Sequence, residues 1–480
     1  MSNKSSNKKS NSNIELKHHQ IMPVEHMKKN RGLILYHGTG SGKTITALSA
    51  MYQFKENIVI IGPKSSKKAF NDDIKKMELD AQKIKFYTFA KIKKIIKNSD
   101  MDILTGMSVI VDEAHNMRNE TSDNMLLMTA IEFATRVMLL TATPVINYLN
   151  DLAVLINIVQ NKAVLPTDVR SFNASYYNEE LGEIINKKTL KEKINNCISY
   201  YSRGNENIDY PDSDVIYKET EMNDRQIEEY RFYIRKFLYD QIVGSNSLTI
   251  DFENINERKK NFFLSSTRQL SNTIDGESDF PKILSMYETI INGKFPCVVY
   301  SNYLKNGVFA LTPMLERDNI SYKTITGNTN DEKINHIVNG YNKGKYKVLL
   351  ITSAGSESLD LKNTRQIHIM EPHWNESRIK QVIGRVIRYK SHSDLPAKER
   401  HVTIYRWVSV FPKGVHNKSA DQYLVELSKK KDNIFKLFNQ IIKDVSIENK
   451  EVMHGGKHRK MVGDFNKLYL ANKYIYTKML

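Results

Sequence analysis

His37-Gly38-Thr39-Gly40-Ser41-Gly42-Lys43-Thr44 follows the apolar run Leu33-Ile34-Leu35-Tyr36 and opens the helical stretch from Thr44 to Phe54. Strand, glycine-rich turn and helix in that order form the setting a phosphate-binding loop requires. The glycines let the backbone turn tightly and aim N–H groups at phosphate oxygens, helped by the helix N-terminus. Gly38, Thr39, Gly40, Ser41 and Gly42 then cradle the phosphates, Lys43 pairs with the β- and γ-phosphates, and the Thr44 hydroxyl reaches Mg²⁺. The general pattern opens with glycine where this chain has His37, and the three remaining glycines leave the loop able to form. A glycine-rich turn that merely precedes a helix is the rival reading; the flanking strand and the Lys-Thr pair weigh against it.

Working outward, further β-branched runs alternate with helical stretches: Ile58-Val59-Ile60-Ile61, Val109-Ile110-Val111 and Val137-Met138-Leu139-Leu140. Strands this apolar are buried on both faces, which predicts a parallel sheet covered by helices. Val111 leads into Asp112-Glu113-Ala114-His115, at a strand tip where α/β sheets place their chemistry. Asp112 suits Mg²⁺, a hard cation that prefers oxygen ligands. Glu113 suits activation of the attacking water. Paired acids alone are common on solvated loops; their place after a phosphate loop gives these two weight. Leu139-Leu140-Thr141-Ala142-Thr143-Pro144 is a third strand leading into small hydroxyl residues.

The same rhythm returns at Cys297–Tyr300, Tyr322–Thr326, Val348–Ile351, Ile367–Met370 and Val402–Trp407. Gln381-Val382-Ile383-Gly384-Arg385-Val386-Ile387-Arg388 reads as one helix with Gln381, Arg385 and Arg388 on a single face. Two guanidiniums from a separate block can stabilise charge on a transferring phosphoryl group. The alternative is a solvated basic face. The small residues from Ser353 to Leu361, after a strand, permit close backbone approach.

The 480 residues suit two or three domains, and the formal net charge of +17 suits a polyanionic partner, although it also fits plain solubility. Cys197 and Cys297 are the only cysteines, which excludes a Cys-x-x-Cys zinc site and a disulfide framework. No apolar run is long enough to span a bilayer, so no membrane association is expected. Met1 to Asn13 is Asn, Ser and Lys without an apolar core; it reads as a disordered tail, not a secretory signal. The expected organisation is a tail at 1–13, an ATP-binding lobe at 14–150 and a mostly helical insertion with linker at 151–282. A second lobe at 283–444 and a basic segment at 445–480 complete it. That last segment is either a further DNA contact or a solvated end.

Gly38 to Thr44, Asp112 to His115, Thr141 to Pro144, Ser353 to Leu361 and Gln381 to Arg388, in this order, resemble superfamily 2 helicases of the DEAH-box type. Three longer strings are similar to nucleoside triphosphatase I and the early transcription factor small subunit of poxviruses and other large cytoplasmic DNA viruses, proteins of Snf2-like kind. They are Thr143-Pro144-Val145-Ile146-Asn147, Ile367 to Asn375, and Gln381 to His392. The likeness runs from about Leu16 to Trp407 and weakens at the C-terminus.

The resemblance implies two RecA-like lobes with ATP and Mg²⁺ between them. It implies that Gln20 reads adenine and that His115, Thr141 and Thr143 couple hydrolysis to lobe movement. It further implies that Pro63, Lys64, Thr326 and Gly327 lie along the nucleic-acid track. The expected protein is an ATP-dependent helicase or translocase that grips DNA or RNA through its phosphates and serves viral transcription. A viral RNA polymerase is an expected partner, and the host cytoplasm (viral factory) or the virion the expected location. The rivals are a strand-separating RNA helicase and, from another class, a non-hydrolysing nucleic-acid- or polymerase-binding subunit.

Overall fold

A computed structural model describes residues 15–449 except 39, 99–100, 120, 147, 202–209, 239–249, 251, 253–254, 354–358, 375 and 415–416. The N-terminal tail, the basic segment around Lys457 to Lys460, Thr39 and most of the Ser353–Leu361 loop therefore lie outside the described residues.

The first block runs α1 (His18–Met27), β1 (Gly32–His37), α2 (Lys43–Tyr52), β2 (Ile58–Gly62), α3 (Ser66–Lys76), β3 (Ile84–Thr88), α4 (Phe89–Lys97), β4 (Ser108–Asp112), α5 (Ser122–Glu132) and β5 (Arg136–Thr141). Its strands join in the order β3-β2-β4-β5-β1, all parallel. Successive strand side chains point to opposite faces, and the two cores divide accordingly. Ile34, Val59, Ile61, Val109, Val111, Val137 and Leu139 pack on the side of α4 and α5. Leu33, Leu35, Ile58, Ile60, Ile110, Met138 and Leu140 pack against α1, α2 and α3. Unbroken apolar runs are what a sheet covered on both faces demands.

The stretch that follows is mostly helical: α6 (Asp151–Gln160), α7 (Val169–Tyr176), the short antiparallel pair β6 (Tyr177–Asn178) and β7 (Glu183–Ile184), and α8 (Lys187–Ile194). It then lends a strand to each sheet. β8 (Ile198–Tyr201) pairs with β1, and β9 (Asp212–Glu221) forms the far edge of the second sheet; α9 (Asp224–Leu238) and α10 (Glu257–Asn272) follow.

The second block contains α11 (Pro281–Asn292), β10 (Cys297–Ser301), α12 (Thr312–Arg317), β11 (Tyr322–Ile325), α13 (Asp331–Asn342), β12 (Val348–Thr352), β13 (Gln366–Ile369), α14 (Glu376–Val386) and β14 (His401–Val410). The strand order is β11-β12-β10-β13-β14-β9, again parallel. The chain thus builds two lobes, each a parallel sheet covered by helices.

One element joins both. α15 (Ala420–Val445) has 26 residues and a capping box at Ser419, so it extends about 39 Å. Its first turns bury Ala420, Tyr423 and Leu424 among α9 and α10. Its last turns bury Phe438, Ile441, Ile442 and Val445 in the first lobe's core. At its start the wholly buried Lys282 ammonium lies 2.8 Å from the Asp421 carboxylate. Among the described residues no helix is long and apolar enough to cross a membrane.

Candidate nucleotide site

β1 delivers the loop and α2 begins at Lys43 with Gly42 as its N-cap; no side chain caps the helix, leaving its first N–H groups to another acceptor. Gly40 and Gly42 have φ of +75° and +82°, a region that side chains other than glycine's enter at a cost. A Cβ on Gly38 would meet no atom within 4 Å, so that glycine leaves room beside the loop. Lys43 Nζ donates to the carbonyls of His37 (2.9 Å) and Gly38 (3.1 Å), which aligns the ammonium along the loop. The Ser41 hydroxyl is buried with no hydrogen-bond partner. Bare backbone, an uncapped helix start and an ammonium fit a polyphosphate.

α1 holds the loop from outside. His19 Nε2 lies 3.0 Å from Ser41 O, and Gln20 Nε2 donates to Gly42 O at 3.4 Å. Gln20 Oε1 accepts from Lys17 N at 2.8 Å, and the His19 ring stacks on Tyr201 with centroids 3.6 Å apart. Gln20 is therefore bound to the loop itself.

Asp112 ends β4 and Glu113 follows it in the left-handed region, with φ +50°. Burial raises the Asp112 pKa and the Glu113 charge adds to it; the Ser66 hydroxyl and Lys43 hold it down. Burial also lowers the Lys43 pKa, against the pull of Glu113 and Asp112, and Arg385 and Arg388 of the other lobe lower it further. The ammonium is thus felt by four charged groups drawn from both lobes. Thr44, in the first turn of α2, and Asp112 are oxygen donors of the kind Mg²⁺ takes.

Behind the acids, His115 Nδ1 lies 3.3 Å from Glu113 Oε2 and 3.2 Å from Thr141 Oγ1. Thr143 N donates to the same Thr141 oxygen at 3.0 Å. Burial, with Arg118 nearby, pushes the His115 pKa down to about 4, so the ring is neutral at pH 7. The three residues expected to couple hydrolysis to movement are joined through the Thr141 hydroxyl and lie directly behind Glu113.

The reading of Gln381 to Arg388 as one helix needs correction: α14 ends at Val386, leaving Arg388 beyond it. The chain turns at Lys390, φ +57°, as Ser391 and His392 become buried. Arg388 Nη1 then donates to Leu359 O (3.2 Å) and Asp360 Oδ1 (3.3 Å). Gln381 remains on α14, one turn before Arg385. Pro63 and Lys64 follow β2, and Lys64 Nζ lies 3.4 Å from Asp331 Oδ2 across the lobes. Asp331 starts α13 just after Thr326 and Gly327, so the two segments expected along the track meet on one side.

Two features went unread in the sequence. The buried His37 ring contacts Ser199, and Lys17 lies 4.5 Å from the centre of the Tyr389 ring, which also neighbours Tyr210 at 5.8 Å. Tyr389 directly follows Arg388 and Lys17 stands close before Gln20; that adjacency was the available signal.

Two parallel-sheet lobes, with a phosphate loop and acid pair on one and arginines on the other, define the class of two-lobed helicase-type ATP hydrolases. An SNF2-related domain model matches residues 56–276 and a helicase conserved C-terminal domain model matches residues 281–390. A putative ATP-dependent RNA helicase of Acanthamoeba polyphaga mimivirus is 53% identical, over 91% of this chain and 98% of that one. An African swine fever virus protein (isolate Tick/South Africa/Pretoriuskop Pr4/1996) named termination factor NPH-I homolog is 24% identical over 88% of this chain and 76% of its own length. The nucleoside triphosphatase I of Melanoplus sanguinipes entomopoxvirus is 23% identical, over 93% and 82% respectively. A solved Sulfolobus solfataricus SWI2/SNF2 ATPase core in complex with dsDNA aligns at 16% identity and TM-score 0.37, over 83% of this chain and 89% of that one. The chain belongs to the SNF2-related helicase family, whose members are ATP-hydrolysing helicases and translocases that bind nucleic acid.

Proposed function

We propose that this chain hydrolyses ATP between residues 14–150 and 283–444 and uses each cycle to move along nucleic acid. The observation that carries the reading is the Lys43 ammonium, within electrostatic reach of Asp112 and Glu113 from its own lobe and Arg385 and Arg388 from the other. Lys43 and the loop N–H groups hold the phosphates, and Glu113 orients and deprotonates the attacking water. Arg385 and Arg388 neutralise charge that grows on the transferring group. Thr44 and Asp112 would hold Mg²⁺, which would supply positive charge against the phosphates. Gln20 and Gln381 line the nucleotide.

The chain from Glu113 through His115 and Thr141 to Thr143 carries the state of the acid into the segment after β5. Lys64 and Thr326, on one side of both lobes, grip phosphates of the track without reading bases. Opening and closing around each ATP then ratchets the lobes.

The relatives named termination factor and nucleoside triphosphatase I support a role in viral transcription, beside a viral RNA polymerase in the host cytoplasm or virion. The mimivirus relative's name supports a second reading, an RNA helicase that separates strands. Measuring ATPase rate with duplex DNA, single-stranded DNA and RNA decides between them. Duplex DNA stimulation with triplex displacement and no unwinding is expected. Stimulation by RNA alone, with unwinding, would reject the duplex-DNA reading. Failure of every nucleic acid to stimulate would reject both.

A further inference from the structure

At the N-terminal edge of the second sheet, opposite the tips that face the nucleotide, lies a cavity of about 500 Å³. Ligand sites commonly fall between about 300 and 1,000 Å³. Its lining includes Lys294 before β10, Arg365 before β13, Arg400 and His401 at the start of β14, Lys398 in the preceding turn, and Asp212 at the start of β9. Four permanent cations therefore converge with one carboxylate in the wall.

Some of that charge is engaged. Arg365 Nη1 donates to Glu399 Oε2 at 3.0 Å, Arg400 donates to the carbonyls of Leu395 and Ser393, and His401 Nε2 lies 2.9 Å from Asp214 Oδ2. Lys294 and Lys398 have no carboxylate partner among the described residues. The Arg365 side chain is only 9% exposed, yet its Nε has no hydrogen-bond partner. A buried guanidinium N–H left unpaired costs free energy, and like charges gathered in one hollow repel. An anion with several oxygens would relieve the repulsion.

We propose that this cavity binds a small ligand carrying two or more linked phosphates. The bounded hollow, closed by the turn Ala397–Glu399 and the end of α11, suits a compact oligophosphate better than a continuous backbone. The site is separate from the phosphate loop, because the residues around it stand at strand starts while Lys43 faces strand ends.

Calorimetric titration of the full chain with inorganic tripolyphosphate tests this. Two binding events are expected, one of which Lys43→Ala removes. The paired variant Lys294→Ala/Lys398→Ala weakens the other roughly tenfold or more and leaves the ATPase rate unchanged. Both lysines are exposed, so the fold is retained, which a circular dichroism melt checks. In the Lys43→Ala background, ATP binding as tightly as tripolyphosphate points to the phosphates alone, and tighter ATP binding adds a nucleoside contact; both keep the site. A single event abolished by Lys43→Ala overturns the proposal. So does a paired variant that binds DNA or RNA duplex more weakly while its tripolyphosphate affinity is unchanged. Loss of ATPase in the parent would reject the motor reading without touching this site.

Discussion

His37 Nε2 lies 2.7 Å from Ser199 Oγ, tying the residue before the phosphate loop to β8 at the edge of the first sheet. The Ser199 hydroxyl in turn donates to the Glu448 carboxylate, which also accepts from Tyr200 N at 2.9 Å. Because the single serine proton goes to Glu448, the imidazole supplies the proton of the His37–Ser199 bond. The side chain standing in place of a loop glycine thus faces away from the phosphates, into a buried junction with the end of the chain's last described segment. Only its backbone carbonyl meets Lys43.

His37→Gly is accordingly expected to lower stability by roughly 2–4 kcal/mol and to change the KM for ATP less than about threefold, since the carbonyl remains. Urea unfolding and steady-state kinetics check it. A large KM increase at unchanged stability would instead make His37 a nucleotide contact.

Glu113→Gln is expected to reduce kcat by about 10²–10⁴-fold, the range for a lost general base, with nucleotide affinity nearly unchanged. Single-turnover hydrolysis beside equilibrium binding separates the two effects. Hydrolysis at the parent rate would assign the base elsewhere.

Arg385→Lys and Arg388→Lys are each expected to cut kcat by about 10³-fold or more, because a compact ammonium cannot reproduce the planar fork. Lys380→Ala is the control on α14, the helix of Arg385: that lysine pairs with Asp432 at 2.5 Å, and its loss leaves the rate intact. Equal losses in Lys380→Ala and Arg385→Lys would point to damage of α14 rather than to arginine chemistry.

The Lys282–Asp421 pair anchors α15 where both side chains are fully buried. Lys282→Met strands a buried carboxylate and is expected to cost about 3–5 kcal/mol, while Lys282→Met with Asp421→Leu recovers at least half. Chemical denaturation of both variants is the measurement. No recovery in the double variant would show that Asp421 matters mainly as the acceptor for Ser409 N, 3.0 Å away.

His368 gives a pH dependence with a definite sign. Trp407 Nε1 donates to its Nδ1 at 3.2 Å, and its Nε2 lies 3.0 Å from Gln366 Oε1, so the neutral ring is satisfied at both nitrogens. Burial pushes its pKa down to about 3. An unfolded histidine takes up a proton below about pH 6.5. The unfolded chain then binds more protons than the folded one, and stability falls as pH drops from about 6.5 towards 3. Between pH 7.5 and 5 this residue accounts for roughly 2 kcal/mol of that loss. His368→Gln should flatten the parent's stability–pH curve by about that amount; an identical slope would reject the assignment.

Strands buried on both faces were legible because Leu33–Tyr36, Ile58–Ile61, Val109–Val111 and Val348–Ile351 are apolar without interruption. The edge strands β3, β8 and β9 were not, and the reason is physical. β9, Asp212–Glu221, is largely exposed and carries acidic residues on both sides of its short apolar stretch Val215–Tyr217, and lysine after it, so it does not read as a buried strand. The end of α14 was misplaced because the helical spacing of Gln381, Arg385 and Arg388 continues past Val386, while the turn at Lys390 is set by burial of Ser391 and His392.

By itself, the order of residues determined the chemistry available: a phosphate loop at Gly38 to Thr44, an acid pair at Asp112 and Glu113, and arginines at 385 and 388. Each is local, written in a few adjacent positions whose backbone and side chains suit one task. Tertiary structure decided what those groups face. Only the packing of the lobes, with α15 buried in both, brings two distant guanidiniums within reach of Lys43. Only the pairing of β8 with β1 turns His37 away from the loop, and only four separate strand starts assemble the cationic hollow. Contacts between residues a hundred or more positions apart depend on which faces the sheets bury, and short-range spacing does not encode that choice.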